Sequence, residues 1–209
     1  MSARSVAATL RNVLQQEAAA LTAMAAMVDD GWLAVVELFD QVRQRGGRII
    51  VSGVGKSGHI GRKIAATFAS TGTPALFMHG TEASHGDLGL IMAGDAVLLL
   101  SASGSTRELL DIASFAKEFR HPLVLISRHA AGPLGQLADH VLLLPDVPEA
   151  CPNGQAPTTS STATLAAGDA LAVALMRLAG FSADDFRQRH PGGKLGEKPR
   201  VEKPASREG

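Results

Sequence analysis

Five short runs, at residues 48–52, 75–78, 96–101, 123–127 and 140–144, are for the most part continuously aliphatic rather than alternating apolar with polar. Runs of that kind mark strands covered on both faces, the usual state of strands in a parallel sheet. Between most of them lie helical patterns, at 58–70, 106–119 and, shorter, 133–138. Strand, helix, strand at this rhythm requires right-handed crossovers. It predicts a three-layer α/β/α sandwich, doubly wound on a five-stranded parallel sheet. The stretch between Phe77 and Ala96 is less regular and reads as a loop or a short helix.

Two helices precede the first strand. Val6, Leu10, Val13, Leu14, Leu21, Met24 and Val28 recur at helical spacing. Asp30-Gly31 interrupts the pattern, and Trp32, Val35, Val36, Phe39 and Val42 mark a second helix ending near Gly46-Gly47. Residues 1–46 are therefore expected to pack on the domain or on a partner subunit. The domain itself is expected to occupy 47–196. Segment 160–178 is apolar nearly all round, apart from the Gly168-Asp169 step, which predicts burial on most sides and a subunit interface. Residues 197–209, charged and almost without apolar side chains, read as a disordered tail.

The bulk numbers narrow the classes of function. With 209 residues and 45% apolar content the chain can bury one substantial core. Its 20 basic and 20 acidic residues cancel, so no whole-molecule field draws it to nucleic acid or an anionic membrane. An anion must be held by a local site. The single cysteine, Cys151, has no intrachain partner, which fits a reducing compartment and makes the cytosol the default. No histidine pairing suggests that Cys151 is a nucleophile, so it reads as structural. No apolar stretch approaches the length of a membrane span, and Arg4, Arg11 and Glu17 interrupt any secretory core.

Two loops carry the chemistry. After the first strand, Gly53, Gly55 and Gly58 allow close backbone approach just where a helix begins, a place suited to an anion. Gly55-Lys56-Ser57 is not a nucleotide-binding P-loop, because the glycine required five residues before Gly55 is Ile50. A tight turn with an exposed lysine explains this loop equally well. After the third strand, Ser101-Ala102-Ser103-Gly104-Ser105-Thr106 opens the next helix with four hydroxyls, more than the one a helix cap needs. A phosphate at that helix N-terminus accounts for the excess. In a sheet of order 2-1-3-4-5 both loops border the crevice at the switch point between strands 1 and 3.

The motifs then resemble a known family. Gly55-Lys56-Ser57-Gly58-His59-Ile60-Gly61, Thr71-Gly72-Thr73-Pro74, His85-Gly86-Asp87-Leu88-Gly89, Glu149-Ala150-Cys151-Pro152, Pro157-Thr158-Thr159-Ser160-Ser161-Thr162 and His190-Pro191-Gly192-Gly193 are similar, in order, to those of D-arabinose 5-phosphate isomerases, built on the sugar isomerase (SIS) domain. The resemblance runs from about Gly47 to Gly196. It implies interconversion of D-arabinose 5-phosphate and D-ribulose 5-phosphate through an enediol, an early step toward the eight-carbon acid sugar of lipopolysaccharide or capsule. It implies no metal or redox cofactor and a cytoplasmic homo-oligomer, expected as a tetramer. Many family members carry a pair of CBS domains after His-Pro-Gly-Gly; this chain stops shortly after Gly193, so regulation through them is expected to be absent. The family's usual Ser-Asn-Ser-Gly-Glu is replaced here by a loop with Ala102 and Ser105. The alternatives are a phosphosugar-binding SIS regulatory module and an isomerase of another sugar phosphate.

Site roles follow from the same resemblance. Lys56, Glu108, Glu149 and His190 are the expected catalytic residues, with Lys56 stabilising negative oxygen, Glu108 facing the sugar and His190 transferring a proton. Gly72, Thr73, His79, His85, Ser101, Ser103 and Thr106 are the expected substrate-binding residues. His190, far along the chain, is expected to reach the crevice of a neighbouring subunit. His79, Glu82 and His85 fall at a spacing that would place Glu82 and His85 on one helical face, so His79 is expected to capture an inhibitory zinc rather than hold a required one. His59, His121, His129, His140 and Asp169 read as structural.

Overall fold

The computed structural model describes residues 3–192. Strands β1 (Ile49–Gly53), β2 (Ala75–His79), β3 (Ala96–Leu100), β4 (Leu123–Ser127) and β5 (His140–Leu143) form one parallel sheet of order β2-β1-β3-β4-β5. All five lie within one residue of their expected bounds, and the chain reverses its winding between β1 and β3. Helices α1 (Ala3–Ala26) and α2 (Asp30–Gln44) precede the sheet. Then follow α3 (Gly55–Ser70), the short α4 (Gly80–Ala83), α5 (Leu110–Glu118), α6 (Pro133–Leu137), α7 (Thr159–Leu178) and α8 (Ala183–Arg189).

Successive strand residues point to opposite faces, and this alternation separates two cores. Ile49, Val51, Leu98, Leu100, Val124 and Ile126 meet Val35 and Phe39 of α2, Ile64 and Phe68 of α3, and Leu171 and Leu175 of α7. Ile50, Val97, Leu99, Leu123 and Leu125 meet Ile112, Ala113 and Ala116 of α5 and Leu134 of α6. Each large side chain buried this fully contributes about 1.5–3 kcal/mol. Phe39 and Phe68 add an edge-to-face contact, with centroids 6.2 Å apart and planes at 79°. Helix α2 thus belongs to the main core, and Met24 at the end of α1 joins it.

Local chemistry moves some boundaries. Asp29 accepts hydrogen bonds from the Gly31 and Trp32 N–H groups, so Asp30-Gly31 opens α2 instead of breaking the chain there. Helix α3 starts three residues earlier than the apolar pattern suggested, which puts Lys56 in its first turn. The segment after Thr106 is a 3-10 turn, Arg107–Leu109, before α5 begins. Helix α7 buries Ala163, Ala167, Leu171, Ala172 and Leu175, but Val173 and Leu178 are exposed, as are Val6, Leu10 and Leu14 of α1. Within 160–178 only Ala170, Val173, Arg177 and Leu178 are exposed, so the expected burial holds on all but one side. No single helix among the described residues is long and apolar enough to cross a membrane. The tail at 197–209, and Gly193, lie outside the described residues.

At the N-terminal ends of the strands the polar groups are tightly paired. Asp95 accepts from the Arg48 N–H at 2.8 Å, from Arg48 Nε at 3.2 Å and Nη2 at 2.6 Å, and from the Met92 N–H at 2.9 Å. Burial alone would push the Asp95 carboxyl up, but these donors outweigh it and hold it below the ordinary carboxylate range. Asp139 likewise accepts from Lys117 Nζ at 2.7 Å and from the Leu123 N–H at 2.8 Å.

Candidate active site

The end of β1 and the first turn of α3 touch. A Cβ on Gly53 would stand 3.0 Å from the Ser57 carbonyl, and one on Gly58 3.0 Å from the Gly53 carbonyl oxygen, so a side chain at either position would press on this contact. The glycines therefore serve packing, and in doing so they fix where Lys56 stands. Its side chain is exposed and has no hydrogen-bond or ion-pair partner among the described residues.

The loop after β3 is knit to the loop after β4. Gly104 adopts φ +67°, and a Cβ there would lie 2.6 Å from the His129 carbonyl oxygen. The Arg128 N–H donates to the Ala102 carbonyl at 3.2 Å, and the Leu134 N–H to the Gly104 carbonyl at 3.1 Å. Within the loop, Ser101 Oγ and Thr106 Oγ1 are hydrogen-bonded at 2.7 Å, and Ser103 Oγ accepts from the Ser105 N–H at 3.3 Å and hydroxyl at 3.2 Å. The hydroxyls thus hold one another in place. Glu108 is exposed on the 3-10 turn, next to Leu109, which is fully buried and anchors the turn.

His79 ends β2, and its Nδ1 accepts from the Thr81 N–H at 3.3 Å, capping α4. His85 is exposed beyond that helix. Helix α4 ends at Ala83, and in the turn that follows the His85 N–H donates to the Glu82 carbonyl at 2.9 Å. Among the described residues no three His, Cys, Asp or Glu side chains gather as metal ligands.

Glu149 leaves the sheet beyond β5 and turns back to the start of α7. Its Oε2 accepts from the Thr158 N–H at 2.8 Å, the Thr158 hydroxyl at 3.3 Å and the Ser160 N–H at 3.1 Å. Burial would raise this carboxyl, but the hydrogen bonds from Ser160 and Thr158 hold it low, so it keeps its charge at neutral pH. Its Oε1 lies 3.8 Å from Arg128 Nη1, and Arg128 Nε is buried without a hydrogen-bond partner among the described residues. Arg128 and Ser127 went unnoticed in the sequence. The available signal was Ser127 closing an apolar run, as Ser101 closes the run of β3.

Three expected site residues lie elsewhere. Gly72 and Thr73 precede β2, whose first residue, Ala75, is in register with Ile49 at the start of β1. They stand a strand length from the crevice, roughly 16 Å at about 3.3 Å per residue. Thr73 is 1% exposed, and its buried hydroxyl has no hydrogen-bond partner among the described residues. Phe181, just past α7, packs against Gly72, where a Cβ would lie 2.5 Å from its ring. Arg189 of α8 covers the Phe181 ring at 4.6 Å, and His190 follows, stacked on Phe186 at 4.0 Å with its Nδ1 2.8 Å from the Phe186 carbonyl. Lys56, His79, His85, Ser101, Ser103, Thr106, Glu108 and Glu149 are thus at or beyond the C-terminal ends of the strands, whereas Gly72, Thr73 and His190 are not brought to them within one chain.

Comparison with known proteins gives the crevice its context. Arabinose 5-phosphate isomerase KpsF of Escherichia coli O6:H1 is 45% identical over 189 residues, 90% of this chain and 57% of that protein. Arabinose 5-phosphate isomerase KdsD of Yersinia pestis is 54% identical over 152 residues, 73% of this chain and 46% of that protein. The chain spans about half the length of these curated relatives. A solved structure of an Escherichia coli CFT073 protein in complex with arabinose 5-phosphate superposes with a TM-score of 0.86 at 37% identity, covering 91% of this chain and 100% of that one. The SIS domain family model matches residues 41–174, and the chain belongs to the SIS domain family.

Proposed function

We propose that this protein is an aldose–ketose isomerase interconverting D-arabinose 5-phosphate and D-ribulose 5-phosphate. What supports the proposal is that Lys56, Glu108 and the Ser101–Thr106 hydroxyl pair stand on the segments leaving the neighbouring strands β1 and β3, in a chain that covers the whole of a solved chain in complex with arabinose 5-phosphate. Ser101, Ser103 and Thr106 take the phosphate, with His79 and His85 beside the sugar. A carboxylate or imidazole then removes the proton from C2 of the open aldose. Electrons move to the C1 oxygen, giving an enediolate; C1 is reprotonated, and the C2 hydroxyl proton is passed to the C1 oxygen as the ketone forms. Glu108 and His190 carry these protons, each typically worth about 10²–10⁴ in rate. Lys56 stabilises the charge on oxygen. Glu149, its carboxylate fixed by the Thr158 and Ser160 N–H groups, is the remaining catalytic residue.

The separation of Gly72, Thr73 and His190 from the crevice supports a site shared between copies of the chain. A neighbouring subunit supplies those three residues, the exposed apolar faces of α1 and α7 are covered by subunit contacts, and the assembly is a homotetramer in the cytoplasm. The product enters synthesis of the eight-carbon acid sugar of lipopolysaccharide or capsule. No metal takes part in the steps, and zinc bound through His79 inhibits.

The direct test is to incubate the chelated protein with arabinose 5-phosphate and follow ribulose 5-phosphate. Turnover is expected without added metal. Turnover restored only by zinc would overturn the metal-free mechanism; binding without turnover would make the protein a phosphosugar-binding module instead.

A further inference from the structure

The N-terminal ends of β3, β4 and β5 border a groove unrelated to the crevice. Two clefts, of about 380 and about 290 Å³, share Leu38, Arg120, His121 and Pro122 and so form one continuous depression between α2 and the end of α5. Arg45 and Phe119 complete its wall. The acidic groups that line it are already matched: Asp95 is paired with Arg48, and Asp139 is bridged by Lys117. The Arg45 and Arg120 guanidinium groups have no hydrogen bond or ion pair among the described residues. The groove therefore carries uncompensated positive charge.

Arg120 has a second peculiarity. The Arg120 N–H donates to the Lys117 carbonyl at 3.2 Å, and the His121 N–H to the Ala116 carbonyl at 2.8 Å, which closes α5 in the pattern where glycine is favoured. Arg120 takes that position at φ +59°, the one non-glycine residue with positive φ among the described residues. Glycine would fit this backbone without strain. An arginine held in a disfavoured conformation at the mouth of a cleft points to a use for its charge. Beside it, the Phe119 ring is 57% exposed, and its centroid lies 4.4 Å from that of Phe115. An exposed ring flanked by two free guanidinium groups suits a ligand with a flat aromatic part and adjoining phosphates.

We infer that this groove binds a nucleoside diphosphate, its base on Phe119 and its phosphates between Arg45 and Arg120. Base stacking on an aromatic side chain and charge-assisted bonds to phosphate each add affinity, so both parts of the ligand are needed. The groove lies at the opposite end of the sheet from Lys56 and Ser101, and occupancy leaves the crevice free.

Isothermal titration of the full chain with ADP, adenosine and inorganic pyrophosphate tests this. ADP should bind on the order of tenfold or more tightly than either fragment. The R45A/R120G double variant should lose ADP affinity by about tenfold or more. The R120G change alone should raise the melting temperature by roughly 2–4 °C, since it relieves the positive φ, so loss of binding cannot be put down to misfolding. Phe119→Leu should weaken ADP while leaving pyrophosphate unchanged. No ADP binding at about 1 mM, unchanged affinity in the double variant, or displacement of ADP by arabinose 5-phosphate would each overturn the inference.

Discussion

The two ends of the sheet are built from the same strands but spend their polar groups differently. At the N-terminal end the carboxylates are paired within the chain, Asp95 accepting four hydrogen bonds and Asp139 two, and only Arg45 and Arg120 of the groove are left free among the charged groups that line it. At the C-terminal end Lys56, His85 and Glu108 stand exposed on turns fixed by glycine contacts or by the buried Leu109. Polar groups paired within the chain hold the fold together, whereas groups fixed in position and left unpaired are available to a ligand.

Substitutions at the two ends should therefore separate activity from stability. Lys56→Ala and Glu108→Gln should each lower kcat for arabinose 5-phosphate by about 10²–10⁴. Thermal denaturation should show their melting temperatures unchanged. The opposite pattern is expected for Asp95→Asn. Because Arg48 is 30% exposed, the cost falls at the low end for a broken buried pair, about 3 kcal/mol. In a chain of this size that lowers the melting temperature by roughly 6–12 °C, with kcat unaltered.

Acid titration gives a subtler contrast. Asp95 and Glu149 are both held below the ordinary carboxylate range, so as pH falls the unfolded chain takes up protons before the folded one does. The stability they contribute is complete above their unfolded values, near pH 4, and is lost as pH drops through the depressed folded values. Urea denaturation across that range should show a steep acid decline in the native protein and a shallower one in the D95N variant. A smaller effect is expected at Ser101→Ala, which removes one neutral hydroxyl and its bond to Thr106. KM should rise about three- to tenfold with little change in melting temperature.

Much of this arrangement was legible in the sequence. Continuously aliphatic runs located all five strands, and their rhythm gave the winding that places the loops after β1 and β3 side by side. Helix starts were harder to read, because the first turn of α3 is glycine and lysine without apolar periodicity, and the 3-10 turn before α5 has its own spacing. The placement of Gly72 and Thr73 could have been foreseen. A residue just before a strand of a parallel sheet lies at its N-terminal edge, whatever motif it belongs to. The capping of α7 by Glu149 had no such signal, since it joins residues nine to eleven positions apart through a loop of irregular backbone.

The division between the two ends makes the proposed site dependent on assembly, because Lys56 lies at one end and His190 follows Arg189 near Phe181 and Gly72 at the other. The most direct measurement mixes the Lys56→Ala and His190→Ala proteins, each inactive alone, under conditions that exchange subunits, and follows ribulose 5-phosphate formation. Random assembly should place an intact Lys56 and an intact His190 together in about a quarter of the sites, and activity should return toward that fraction of the native rate. Mixed oligomers, verified by native mass spectrometry, that stay as inactive as either parent would show that the site is not shared between subunits.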